Sequence, residues 1–148
     1  DLHYPLLTSR LVIKRQEKNR PDPGDVLDVV AKVGGYDIAG MCGLFLGGAI
    51  YRIPVLIDGF ISSVAALCAV RLAPLVGKYL FASHCSKEPG GKMVLDALGM
   101  SAMIGCDLSL GEGSGAVAAV PLLEMGLDVY RKMSTFEEIQ VEQYQELK

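Results

Sequence analysis

Apolar residues at Val26, Val29, Val30 and Val33 recur at the spacing of one helix face. Asp25 stands where a side-chain cap belongs and Gly34-Gly35 closes the run, so a helix is expected between them. Over residues 37–51 the pattern changes: the run is apolar on every side and carries Gly40, Gly43, Gly47 and Gly48. A buried helix, approached closely by its neighbours, is expected there. Residues 53–57 form a short β-branched run that reads as a buried strand ending in the loop Asp58-Gly59. Residues 61–72 continue as a helix stopped by Pro74, and residues 78–82 read as a second strand. A helix over 92–98, a third strand over 102–108 and a long helix reaching about Lys132 complete the series. Strand alternating with helix indicates a parallel sheet with helices packed on it.

The ends differ from this core. Residues 9–18 can form a polar, basic helix, and residues 19–24, with Pro21 and Pro23, are a breaker cluster. From Ser134 onward acids and glutamines predict a polar terminal helix or frayed end. The chain thus divides into an N-terminal helix and linker (1–24), an α/β core (25–133) and a C-terminal polar tail (134–148).

Composition changes this picture in few respects. A chain of 148 residues that is 51% hydrophobic, with a mean hydropathy of +0.34, is expected to cover its sheet on both faces. The Gly43-x-x-x-Gly47 spacing has a membrane look, but the uncharged run ends at Arg52 and Pro54, short of the roughly 20 residues a span needs. A net charge of −3 supplies no basic field, which argues against nucleic acid. Cys42, Cys68, Cys85 and Cys106 are widely spaced among apolar or small residues and read as reduced core thiols. His3 and His84 lack clustered acids or cysteines, so no metal site is expected. No basic segment precedes an apolar one at the start, and a cytoplasmic location is expected.

Three loops carry candidate chemistry. In Leu110-Gly111-Glu112-Gly113-Ser114-Gly115-Ala116 one carboxylate stands between glycines just before a helix. Glycine there permits positive φ and close approach, and a carboxylate buried among apolar neighbours becomes a general base. The alternative is an acid that merely favours the positive end of a helix. Asp58, at the end of a strand, lies where parallel sheets bind ligands, or else caps the helix that follows. Ser86 to Gly90, opening a helix with Lys92 nearby, suits a phosphate, with a solvated turn as the alternative. It is not a Walker loop, because the Gly-Lys-Ser/Thr ending is absent. A dinucleotide reading of Gly111-x-Gly113-x-x-Ala116 fails because Glu112 would face the pyrophosphate. His84 has no partner that spacing alone identifies.

These blocks, with Asn19-Arg20-Pro21-Asp22-Pro23 and the run from Lys32 to Gly40, occur in an order that resembles the nicotinate-nucleotide–dimethylbenzimidazole phosphoribosyltransferase family from about Ser9 to Ile139. The chain looks like the C-terminal part of that family's usual length. The resemblance implies a Rossmann-like, mainly parallel sheet with flanking helices, part of a larger family fold, and a homodimer. It implies transfer of phosphoribose from nicotinate mononucleotide to 5,6-dimethylbenzimidazole without a cofactor. Glu112 then corresponds to the general base, while Asp58, Ser86, Gly90, Leu110, Gly111 and Gly113 fall at substrate-binding positions. Two departures stand out: the family's N-terminal half is not in this chain, and its usual lysine falls at Thr8. A relative that binds a nucleotide or dimerises without turnover is therefore the alternative expectation.

Overall fold

The structure, a computed structural model, describes residues 17–106, 108 and 110–142. Most of the expected helix over 9–18 lies outside the described residues, as do His3 and Thr8. Asp25 caps α1 (Val26–Val33), its carboxylate accepting from the N–H groups of Leu27 and Asp28 at 2.9 and 3.2 Å. The four valines on the predicted face are half-buried. Gly34 closes the helix, donating its N–H to Val30 O; a Cβ on it would stand 2.6 Å from that oxygen.

Helix α2 (Tyr36–Tyr51) corrects one expectation. It buries a single stripe, Cys42, Phe45 and Gly48, while Leu44, Ile50 and Tyr51 are exposed. The reason is geometric, since α3 (Phe60–Leu72) and the strands cover only one side of it. Of the α2 glycines, Gly48 alone is closely approached, by Val55, and Gly40, Gly43 and Gly47 face open space. The α3 surface is lined by Ala65, Ala66 and Ala69, all fully buried. Small side chains let the helices close on Cys42, Phe45, Ile57 and Val76, which form one core with them. That burial raises the thiol pKa of both Cys42 and Cys68. Cys42 and the half-buried Cys68 are thus the expected core thiols; Cys106 is exposed, because it sits in the segment leading off the sheet.

Strands β1 (Val55–Ile57) and β2 (Leu80–Ala82) pair in parallel, with Val55 opposite Leu80 and Ile57 opposite Ala82. The crossover between them consists of α3 and a 3₁₀ segment, Pro74–Tyr79, which takes Lys78 and Tyr79 out of the predicted strand. The third strand expected over 102–108 reduces to one parallel bridge, His84 with Ile104. Met103 and Ile104 donate to the neighbouring strand end, at Ala82 O and Ser83 O. Gly105 and Cys106 then leave the sheet, so no ladder extends. Helix α4 (Gly91–Leu98) and the long α5 (Ser114–Lys132) follow the loops singled out above. Beyond Ser134 a single turn is closed by reciprocal bonds between Thr135 and Glu138, and residues 143–148 lie outside the described residues. Among the described residues no helix is long and apolar enough to cross a membrane.

Candidate active site

Both strands end on the same side, and each delivers polar groups there. Asp58 follows β1; Ser83 and His84 follow β2. Asp58 does not cap α3, whose first residue follows Gly59 without any side-chain bond. Instead its carboxylate reaches the start of α5, where Oδ2 accepts from Gly113 N at 3.2 Å and Oδ1 from Ala116 N at 3.0 Å. Asp58 thus caps a helix more than fifty residues away in sequence, with the negative charge at the positive end of the dipole.

This clamp explains the backbone of the glutamate loop. Gly111, Glu112 and Gly113 are left-handed in succession, with φ of 76°, 58° and 78°. For Glu112, which carries a Cβ, that conformation costs roughly 1–2 kcal/mol. Two charge-assisted hydrogen bonds accepted by Asp58, on the order of 1.5–3 kcal/mol each, offset it. Gly115 is glycine for a different reason. Its φ is not positive, but a Cβ there would collide with Nδ1 and Cε1 of His84 and stand 3.0 Å from Asp58 Oδ1. The imidazole therefore lies directly on the first turn of α5.

The surface these elements enclose is a cavity of about 650 Å³. Met41, Leu44, Phe45, Leu56 and Phe60 form an apolar wall. Asp37, Asp58, His84, Ser86, Lys87, Glu88 and Glu112 contribute polar groups. Of the residues proposed from sequence, Glu112, Asp58, Ser86, Gly111 and Gly113 meet on this lining. Leu110 is exposed and lies off it. Gly90 also lies off it, packed instead beneath Phe60, whose ring atoms would stand 2.7 and 2.9 Å from a Cβ at that position. Glu112 is exposed rather than buried among apolar side chains, because the left-handed turn holds it at the loop's apex.

Sequence reasoning missed Asp37, Phe60 and His84. The rule that found Asp58, polar residues just past a strand, would have found His84 as well. Spacing gives no cue to it, because its partner, Ser83, is its own neighbour and the group it packs on, Gly115, is thirty-one residues away. An apolar wall beside convergent polar groups at strand ends is the usual form of a small-molecule site in α/β proteins.

A family model described as phosphoribosyltransferase matches residues 8–141. The nicotinate-nucleotide–dimethylbenzimidazole phosphoribosyltransferase of Acetivibrio thermocellus is 51% identical over 135 residues, which cover 91% of this chain and 38% of that one. The enzyme of the same name from Halalkalibacterium halodurans is 52% identical over 128 residues, 86% of this chain and 36% of its own length. The crystal structure of the Thermus thermophilus phosphoribosyltransferase superposes with a TM-score of 0.78 at 40% identity, covering 84% of this chain and 38% of that chain. The chain therefore spans somewhat over a third of the length of the relatives it matches.

Proposed function

We propose, since this chain belongs to the nicotinate-nucleotide–dimethylbenzimidazole phosphoribosyltransferase family, that it carries the general base and part of the mononucleotide site of a pentosyl transfer. Nicotinate mononucleotide gives its phosphoribosyl group to 5,6-dimethylbenzimidazole, forming α-ribazole 5′-phosphate and releasing nicotinate. One benzimidazole nitrogen attacks the anomeric carbon while the bond to nicotinate breaks on the opposite face. The proton on the other nitrogen must leave or the product would be a cation, and the Glu112 carboxylate takes it. Ser86 and the start of α4 suit the phosphate, and the apolar wall suits a flat ring.

The observation that carries this reading is the Asp58 clamp, which holds Glu112 in a strained turn on the lining of the cavity that Ser86 also lines. Strain retained at one carboxylate is expected of a working group. On the same reading residues 25–133 act as the unit that completes a larger, Rossmann-like sheet when the remaining length of the family fold is present. A homodimer fits the exposed apolar side chains of α5, among them Val117, Met125 and Tyr130. Sedimentation at micromolar concentration tests that point, a strict monomer counting against it.

A second reading, nucleotide binding without turnover, is favoured by the exposure of Glu112. Nicotinate release decides between them, measured with both substrates on this chain alone and together with the family's N-terminal portion. Release that depends on the benzimidazole supports transfer. A complemented chain that binds the mononucleotide and never turns over supports the second reading.

A further inference from the structure

Ser83 Oγ lies 3.0 Å from the carbonyl oxygen of Asp58 and 3.1 Å from Nδ1 of His84. A hydroxyl has one proton, and a carbonyl oxygen only accepts. The hydroxyl therefore donates to Asp58, and the second contact is satisfied only if Nδ1 carries hydrogen and donates to Oγ. In the neutral ring Nε2 is then a lone-pair acceptor. The ring has little freedom to turn. It is 5% exposed, its Nδ1 and Cε1 atoms occupy the space left by the missing Cβ of Gly115, and its Cε1–Nε2 edge borders Gly59 on the cavity lining. Nε2 and Cε1 face that glycine, each 3.9 Å from where its Cβ would be. Among the described residues Nε2 makes no hydrogen bond.

We infer that His84 is a positioning residue for the sugar: Ser83 locks it as the Nδ1–H tautomer, and Nε2 is presented to the cavity as a fixed acceptor for a hydroxyl of the bound pentose phosphate. The inference rests on the pentosyl-transfer reading for the identity of the ligand, but not for the tautomer. An acceptor that cannot rotate fixes the direction of the hydroxyl it receives, and with it the face of the ring offered to the incoming base.

Nitrogen NMR of the imidazoles tests this on the chain as it stands. There are two histidines, and His3→Gln leaves one set of signals. At mildly alkaline pH, His84 is expected as the Nδ1–H form, and Ser83→Ala is expected to release it toward Nε2–H. An Nε2–H ring in the chain with Ser83 present overturns the inference. Nicotinate mononucleotide, followed by the amides of Gly59 and Ser86, should move Nε2 well beyond Nδ1. Amide shifts with an unmoved Nε2 also overturn it. If the mononucleotide moves no amide, the substrate reading fails, and the tautomer measured without ligand still decides the role of Ser83. His84→Asn keeps a donor at the Nδ1 position and removes the acceptor, so mononucleotide binding should weaken about tenfold, the worth of one hydrogen bond. His84→Gln, whose amide reaches the Nε2 position, should recover most of that loss; equal loss in both variants reduces His84 to packing.

Discussion

Two loops open helices on the cavity; each is closed by a local backbone bond, Gly91 N to Glu88 O in one and Ser114 N to Gly111 O in the other, and they differ in backbone strain and in what else holds them. The Ser86–Gly90 loop is tied by neighbours: Glu88 N donates to Ser86 Oγ at 3.4 Å, and Gly91 N to Glu88 O at 2.8 Å. None of its residues is left-handed. The Glu112 loop has three left-handed residues in a row, and the side chain that holds it lies at the end of β1. A relaxed turn can be held by its own atoms. A strained one requires an acceptor fixed elsewhere, and here the sheet supplies it. On the proposed pentosyl-transfer reading, substrate holding falls to the first loop and proton transfer to the second, since a reacting group gains from enforced geometry.

The largest effect expected from separating the two comes from Glu112→Gln in a chain complemented to full length. Turnover should fall about 10²–10⁴-fold, the usual contribution of a general base. Mononucleotide affinity, measured by calorimetry, should hold. An unchanged turnover removes Glu112 from the chemistry, and a collapse of affinity shows that the two loops do not divide the work as described.

Next in size is Asp58→Ala, which leaves Gly113 N and Ala116 N without their acceptor. Loss of roughly 3 kcal/mol is expected in urea unfolding, from two charge-assisted bonds partly replaced by water. Asp58→Asn should lose about half, because one amide oxygen can still accept. Stability equal to that of the unsubstituted chain would mean that the left-handed turn holds itself. Gly90→Ala probes the other loop. The added methyl meets the Phe60 ring, an overpacking cost of about 1–3 kcal/mol, and Phe60→Leu should relieve most of it in a double-mutant cycle. Additive losses would show that Phe60 does not shape this loop.

The smallest effect lies outside both loops and serves as their reference. Asp28 accepts from Lys32 Nζ at 2.8 Å and from Asp22 N at 2.7 Å, and its pKa is lowered, first by the Lys32 hydrogen bond. A depressed carboxylate stabilises the folded chain above its unfolded pKa of about 4, and that contribution is lost as pH falls through the lower, folded value. In an acid titration followed by NMR, the Asp22 amide should therefore hold its position until pH falls below about 4 and shift only there. Movement of that amide above this range would show that Lys32 does not hold the Asp28 carboxyl low.

Much of this architecture was legible in the residues. Asp25 with four valines at helical spacing made α1 readable, because a cap and an apolar face are both local signals. The parallel pairing of β1 with β2 followed from two apolar runs separated by a helix that must pack back onto them. The site was legible in part: Glu112, Asp58 and Ser86 were singled out because glycine-flanked or strand-end polar residues point to chemistry, and they share one cavity lining.

What only the tertiary structure decided concerns partners. Asp58 could have capped its own helix; the packing of the elements placed α5 within its reach instead. His84 stood alone in the sequence, and its tautomer depends on a hydroxyl that already donates to the far strand end. The third strand stopped at one bridge because Gly105 and Cys106 leave the sheet, and α2 stayed half-exposed because its neighbours reach one face. Helical period and capping are properties of consecutive residues, so the chain alone dictates them. Which donor meets which acceptor is settled only when separate elements have packed, and in this protein those pairings hold the candidate base in place.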